Sequence, residues 1–168
     1  LVKDSAMSGI GIPDTILAFR KPGENPKPIS HPKGLIEYAG SRQIPKDLDK
    51  WIDSEDTAKN KRSHWIWQQY ASPVWFDIRQ TNVLPFVQAR DKDDQRHICP
   101  LQVDTIQRCI TLWSAKGDVV FTPFMGVGSE VYVAVKKGRL GVGIELKKSY
   151  YRQAVRNLAS LGRGGKID

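Results

Sequence analysis

Hydrophobic positions follow two regimes along this chain, divided at Pro100. Between residues 100 and 114, Leu101, Ile106, Cys109, Ile110 and Trp113 form a broad apolar stripe at helical spacing, which predicts a core-facing helix ended near Gly117. Residues 118–121 (DVVF) and 140–145 (LGVGIE) are short apolar runs that read as buried strands. Residues 129–137 and 148–161 carry helical periodicity, and Gly138 stops the first of the two. Strand, helix, strand, helix with short connections predicts a parallel sheet covered by helices, an α/β fold.

Upstream of Pro100 the pattern is broken. Residues 15–21 (TILAFRK) follow the turn formers Gly9, Gly11 and Pro13 and read as a strand, one arm of a hairpin whose partner lies at or before Leu1. The proline and glycine density of residues 22–40 excludes long helices and predicts irregular surface chain. Residues 45–55 open on Pro45 and place Leu48, Trp51 and Ile52 on one face, predicting a short amphipathic helix, and a second helix is predicted over residues 60–70. Lys59, Lys61 and Arg62 stand at the start of the second helix, where cations oppose the helix dipole, so a ligand is a better reason for them than helix stability.

Charge adds a partner class. The 26 Lys and Arg residues outweigh 18 Asp and Glu, a net charge of +8 that suits a polyanion, nucleic acid first, with a merely basic surface an equal alternative on charge alone. The two cysteines, Cys99 and Cys109, come without a second pair or a His cluster, which indicates neither a disulfide framework nor a zinc site and fits a reducing cytoplasm. No apolar run reaches the roughly 18 residues a bilayer span requires.

The chemistry concentrates where residues 118–121 run into Thr122-Pro-Phe-Met-Gly-Val-Gly-Ser129. Gly126 and Gly128 would let backbone approach a ligand at the carboxyl end of a strand, although such turns also serve only tight strand-to-helix packing. Glu145 ends the next strand, seventeen residues after Gly128, where a carboxylate can accept hydrogen bonds from ribose hydroxyls. A dinucleotide site calls for a third glycine where Val131 stands, and Glu130 would repel a phosphate; a P-loop is excluded because no Gly-Lys-Ser/Thr follows the turn. The ligand these residues suit is an adenosine without phosphates, of which S-adenosylmethionine is the common one.

The stretch TPFMGVGSE resembles the cofactor motif of DNA amino-methyltransferases acting on adenine N6 or cytosine N4, Asp-Pro-Phe-x-Gly-x-Gly-Thr/Ser, with Thr122 in place of the acid. The stretch GIEL at residues 143–146, followed by an aromatic-containing helix, resembles the next motif, and residues 97–102 (HICPLQ) stand where the family holds the methionine moiety. The resemblance implies a partial Rossmann-like methyltransferase sheet with helices, beside an irregular α-rich recognition segment. It implies cofactor contacts from His97, Pro100, Leu101, Thr122, Pro123, Phe124, Gly126, Gly128, Ser129, Glu145 and Leu146. The motif order resembles the permuted class, in which the cofactor half comes last; residues 3–20 resemble the hairpin just after the catalytic half, and residues 71–81 resemble phage and prophage members. It divides the chain into a hairpin end (1–21), a target-recognition or connector segment (22–96), a cofactor-binding portion (97–161) and a tail (162–168).

The family's tetrapeptide for the target amine, Asp, Asn or Ser, then Pro-Pro, then Tyr, Phe or Trp, is absent. In the permuted order it lies N-terminal to everything here, so the chain is expected to begin after it, to lack turnover alone, and to need that N-terminal half as partner. Double-stranded DNA is the implied substrate, adenine N6 ahead of cytosine N4, in the cytoplasm of a bacterium or under a phage genome; a homodimer is left open. Lys59, Lys61, Arg62 and Arg79 are candidates for DNA contact against an equal expectation of solvated charges, whereas Trp51, Trp65, Trp67 and Trp75 are better explained as core than as stacking platforms. Phe124 either lines the cofactor site or fills the core, and His31 and His64 are assigned no role. The rival readings are a non-catalytic DNA-binding remnant and a nicotinamide-dependent oxidoreductase.

Overall fold

A computed structural model describes residues 14–24, 29, 61–89 and 100–162. Four α-helices and two strands are present among them: α1 (Lys61–Tyr70), α2 (Val103–Trp113), β1 (Val119–Thr122), α3 (Ser129–Lys136), β2 (Leu140–Gly143) and α4 (Lys148–Leu161), with a 3-10 turn at Val87–Ala89. The strands pair in parallel, Val119 opposite Leu140 and Thr122 opposite Gly143, joined by α3 as the crossover. Each predicted element from residue 100 onward is present within a few residues of its expected ends, which is where helix and strand limits normally vary.

Helix α3 is the centre of the packing. It lies against both strands and between α2 and α4, and Val131, Tyr132, Val133 and Ala134 are all buried. A helix packed against two strands and two helices needs close approaches, and Gly141 supplies one: a Cβ there would stand 2.8 Å from Val131 Cγ1 and 2.9 Å from its carbonyl oxygen. The helix-to-strand contact that a dinucleotide fold obtains with a glycine on the helix is obtained here with a glycine on the strand, so Val131 is accommodated.

Helix α2 buries two chemically different faces. Val103, Ile106 and Ile110 join the main core with Leu84, Tyr132 and Val133. On the other side Arg108 forms an ion pair with Asp77 at 2.6 Å and lies between the rings of Tyr70 and Trp75, 4.8 and 4.7 Å from their centroids. Beyond it, Asp104 receives the Arg79 backbone N–H, the Arg79 Nε and Nη2 fork, and Asn82 Nδ2, all within 3.1 Å. The buried cation of Arg139 takes a third arrangement: it donates to Ser114 Oγ, Ser114 O and Lys137 O, the carboxyl ends of α2 and α3, where the helix dipoles present negative charge.

Asp104 makes acid stability testable. Burial pushes its carboxyl up, but the hydrogen bonds from Arg79 and Asn82 and the Arg79 charge outweigh burial and hold it below the ordinary carboxylate range. The folded state therefore binds this proton less tightly than the unfolded chain. The contribution is fully present above the unfolded value, near pH 4, and is lost as pH falls through the lowered folded one. Thermal unfolding followed across about pH 2 to 6 should show this loss, and Asp104→Asn should flatten that acid limb while lowering stability at neutral pH.

Two expectations need correction. Residues 15–21 form no strand, and Leu17 and Phe19 are exposed; β1 and β2 pair only with each other, so this run has no ladder partner among the described residues. The strands expected to be buried each leave one face open: Val119, Phe121, Leu140 and Val142 alternate outward in register, because helices cover only the opposite side of a two-stranded sheet. The predicted helix of residues 45–55 with Trp51, and the candidates Lys59 and His97, lie outside the described residues. Among the described residues no helix is long and apolar enough to cross a membrane, and no His, Cys, Asp and Glu cluster could hold a metal.

Candidate cofactor-binding site

The carboxyl ends of β1 and β2 lie side by side, and the two loops that leave them are tied together by one side chain. Glu145 accepts a hydrogen bond on Oε2 from the Gly126 N–H and on Oε1 from the Lys147 N–H, both at 2.8 Å. Met125 N–H donates to Ile144 O at 2.9 Å, a second tie between the same loops. The turn itself is set by glycines: Gly126 and Gly128 have φ of +54° and +89°, a region other residues enter at a cost of about 1–2 kcal/mol.

The two glycines are not equivalent. A Cβ at Gly128 would stand 2.9 Å from Ala154 Cβ and 3.2 Å from its Cα, so this glycine admits α4. At Gly126 a Cβ would meet nothing within 4 Å, so the backbone there faces open space. That space is a cleft of about 190 Å3, lined by Pro100, Leu101, Phe124, Met125, Gly126, Val127, Ser129, Glu130 and Tyr150. Its walls are mostly apolar, and the carboxylate of Glu130, raised above its ordinary range by burial, is its charged group. Lys147 Nζ stacks over the Tyr150 ring, 4.4 Å from its centroid. Such a site accepts a flat ring between apolar walls and a neutral or cationic group beside Glu130, and disfavours phosphate.

With this geometry in view, comparison with known proteins is decisive at the level of family. The DNA methylase family model, of N6/N4 type, matches residues 12–156. The chain belongs to this family. Curated relatives include the type II methyltransferase M.BglI of Bacillus subtilis, 33% identical over 101 residues, with 60% of this chain and 26% of the relative covered. M.MthZI of Methanothermobacter thermautotrophicus is 26% identical over 109 residues, covering 62% of this chain and 30% of the relative. The chain thus spans between a quarter and a third of the length of these relatives. Among solved structures, a putative DNA modification methylase of Thermus thermophilus complexed with S-adenosyl-L-methionine aligns with a TM-score of 0.46 at 21% identity, over 75% of this chain and 41% of that one.

Within this member of the DNA methylase family, Pro100, Leu101, Phe124, Gly126 and Ser129 of the candidate set converge on the cleft. Phe124 is 86% exposed, which removes the core-filling alternative and puts its ring at the rim. Thr122 is buried and accepts a long hydrogen bond, 3.4 Å, from Phe124 N–H, so it shapes the turn from below. Pro123 and Leu146 are exposed outside the cleft lining, and Gly128 is committed to Ala154. Sequence reasoning misses Glu130, Met125, Val127 and Tyr150 as lining residues. Glu130 carries a legible signal, an acid in the first turn after a glycine-rich loop. Of the DNA-contact candidates, Lys61 and Arg62 open α1, and the Arg79 fork is engaged by Asp104. Trp75 is a packing residue beside Arg108, and Trp67 is exposed.

Proposed function

We propose that the chain is the cofactor-binding and part of the recognition portion of a DNA amino-methyltransferase that uses S-adenosylmethionine to methylate an exocyclic amine of a DNA base, adenine N6 ahead of cytosine N4. The observation that carries this reading is the apolar cleft at the carboxyl ends of two parallel strands, open at Gly126 and bounded by Glu130 rather than by phosphate-binding groups. The residues fit the cofactor. Phe124, Leu101 and Tyr150 would enclose the adenine, and Glu145 retains unshared lone pairs for ribose hydroxyls beside its two backbone bonds. Ser129 and Glu130 would face the polar end. When bound, the cofactor supplies an electrophilic methyl on a sulfonium; the chain's own residues orient it and exclude water.

The groups that hold the target amine are expected on an N-terminal half outside this sequence. The apolar row of Val119, Phe121, Leu140 and Val142 is the face that half would cover, since parallel sheets are covered on both sides. The chain by itself is then expected to bind cofactor without turnover, with double-stranded DNA as the substrate of the completed enzyme.

Calorimetric titration with S-adenosylmethionine and, separately, NAD is the test. Saturable binding of the first alone is expected, weakened by about 1–3 kcal/mol in Glu145→Ala, which removes both the ribose acceptor and the latch on Gly126. Binding of NAD instead, or of neither ligand by the folded chain, would overturn the assignment.

A further inference from the structure

Asn157, on the buried face of α4, takes no part in lining the cofactor cleft. Its amide nitrogen nevertheless donates twice, to Val127 O at 2.9 Å and to Pro85 O at 3.2 Å. The two acceptors stand 30 and 72 residues earlier in the chain. Val127 belongs to the glycine turn and lines the cleft, whereas Pro85 belongs to the segment that leads into the 3-10 turn at Val87–Ala89. The amide is fixed in orientation as well as place. Its Oδ1 accepts from Gln153 Nε2 at 3.0 Å, one helical turn earlier, and Gln153 is itself buried. With the oxygen so engaged, both hydrogens of the NH2 group are spent on the two carbonyls. Asparagine is a poor helix former, and a buried amide is costly unless satisfied, so neither helix stability nor core packing is a reason for it here. Joining two backbone carbonyls is.

The same short segment reaches another part of the cleft lining. Asn82 O accepts the Val103 N–H at 2.8 Å, and Asn82 Nδ2 donates to Asp104 at 2.8 Å. Val103 and Asp104 open α2 directly after Pro100 and Leu101, which line the cleft. Between these two anchorages Leu84 is buried in one core with Val127. Residues 82–85 therefore line no part of the cleft and yet hold the chain at two places where it does. Glu145, by contrast, ties the glycine turn only to the loop that follows β2.

We propose that Asn157 is a positioning residue of the cleft: by fastening Val127 to Pro85 it sets the glycine turn against residues 82–85, the segment that also fastens Pro100 and Leu101 through the start of α2. A displacement of residues 82–85 is then passed to both parts of the lining, and a ligand in the cleft steadies that segment in return, since coupling between two sites is reciprocal. That this ligand is S-adenosylmethionine rests on the function proposed above; the fastening does not.

Two measurements on the 168-residue chain test this, with Asn157→Leu and with Asn157→Asp, which keeps the shape and removes the NH2 group. In the ligand-free variants, amide hydrogen exchange at Gly126, Val127 and Gly128 is expected to accelerate at least ten-fold, on the order of a lost local anchorage. Gly117 and Gly138, which bond to each other at the other end of the strands, should keep their wild-type rates. In calorimetric titration both variants should bind S-adenosylmethionine about ten-fold more weakly. In the wild-type chain the ligand should also slow exchange at Val83, Leu84 and Phe86, and the variants should lose that protection. Ile66→Val, a truncation in a separate core cluster, is the control: it should lower the thermal midpoint without changing turn exchange or affinity. Unchanged exchange in the turn would overturn the proposal, as would an acceleration that Gly117 and Gly138 share, the mark of general destabilisation. Weaker binding with the protection at residues 83–86 intact would overturn it too. An accelerated turn in variants of a chain that binds no S-adenosylmethionine would uphold the fastening and remove the cofactor assignment instead.

Discussion

Replacing Asp77 by alanine is expected to destabilise the chain by about 3–5 kcal/mol, a large part of the roughly 5–15 kcal/mol that holds a domain folded. Arg108 is 1% exposed and Asp77 6%, so the pair is fully withdrawn from water, and removing the carboxylate leaves a guanidinium charge in a site built around its neutralisation. The flanking rings of Tyr70 and Trp75 soften this but do not cancel it, since cation–π contacts contribute about 2 kcal/mol when desolvated. The corresponding double variant, Asp77→Ala with Arg108→Met, should recover most of the loss, because an apolar side chain of similar length is accepted where an unpaired charge is not. Urea unfolding monitored by tryptophan fluorescence would measure both, the midpoint shifting with little change in slope. A cycle with no recovery would mean that Arg108 matters for its shape between the rings and not for its charge.

That ion pair also marks the limit of what the amino-acid order discloses. The elements after Pro100 are legible because their causes are local: apolar spacing in α2 and α4, short apolar runs in β1 and β2, and Gly138 in a left-handed turn with φ of +74° ending α3. The glycine turn and Glu145 are legible as chemistry for the same reason. What joins them is not. Asp77 and Arg108 are 31 residues apart, Arg79 and Asp104 are 25 apart, and Glu145 reaches back 19 residues to Gly126. No periodicity encodes such pairs, so neither the hold of Asp104 on the Arg79 fork nor that of Glu145 on the glycine turn is visible in the amino-acid order. The open face of the sheet is illegible for another reason. Apolar strand residues announce that a face is to be covered, but not whether the covering layer belongs to the same stretch of chain.

The glycine turn gives the sharpest separation of fold from site. Gly128→Ala would place a methyl group 2.9 Å from Ala154 Cβ and 3.2 Å from a backbone carbon that cannot rotate away, at a φ of +89° that itself costs about 1–2 kcal/mol. Overpacking of this kind adds about 1–3 kcal/mol, so a loss of about 3 kcal/mol or more is expected, visible as a lowered thermal midpoint. Ala154→Gly in the same chain should return part of it, since the nearest clashing atom is removed, but not the part due to backbone strain, and it adds the helix cost of a glycine in α4, about 1 kcal/mol. Gly126→Ala has the opposite profile. Its φ of +54° is near the left-handed minimum that other residues tolerate best, and the new methyl would point into open cleft with nothing within 4 Å. Stability should fall by no more than about 2 kcal/mol, whereas S-adenosylmethionine binding should weaken at least ten-fold because the methyl occupies the space where the ligand approaches the backbone. If instead Gly126→Ala bound cofactor normally, the glycine would serve only the turn, and the cleft would have to admit its ligand from the side of Leu101 and Tyr150.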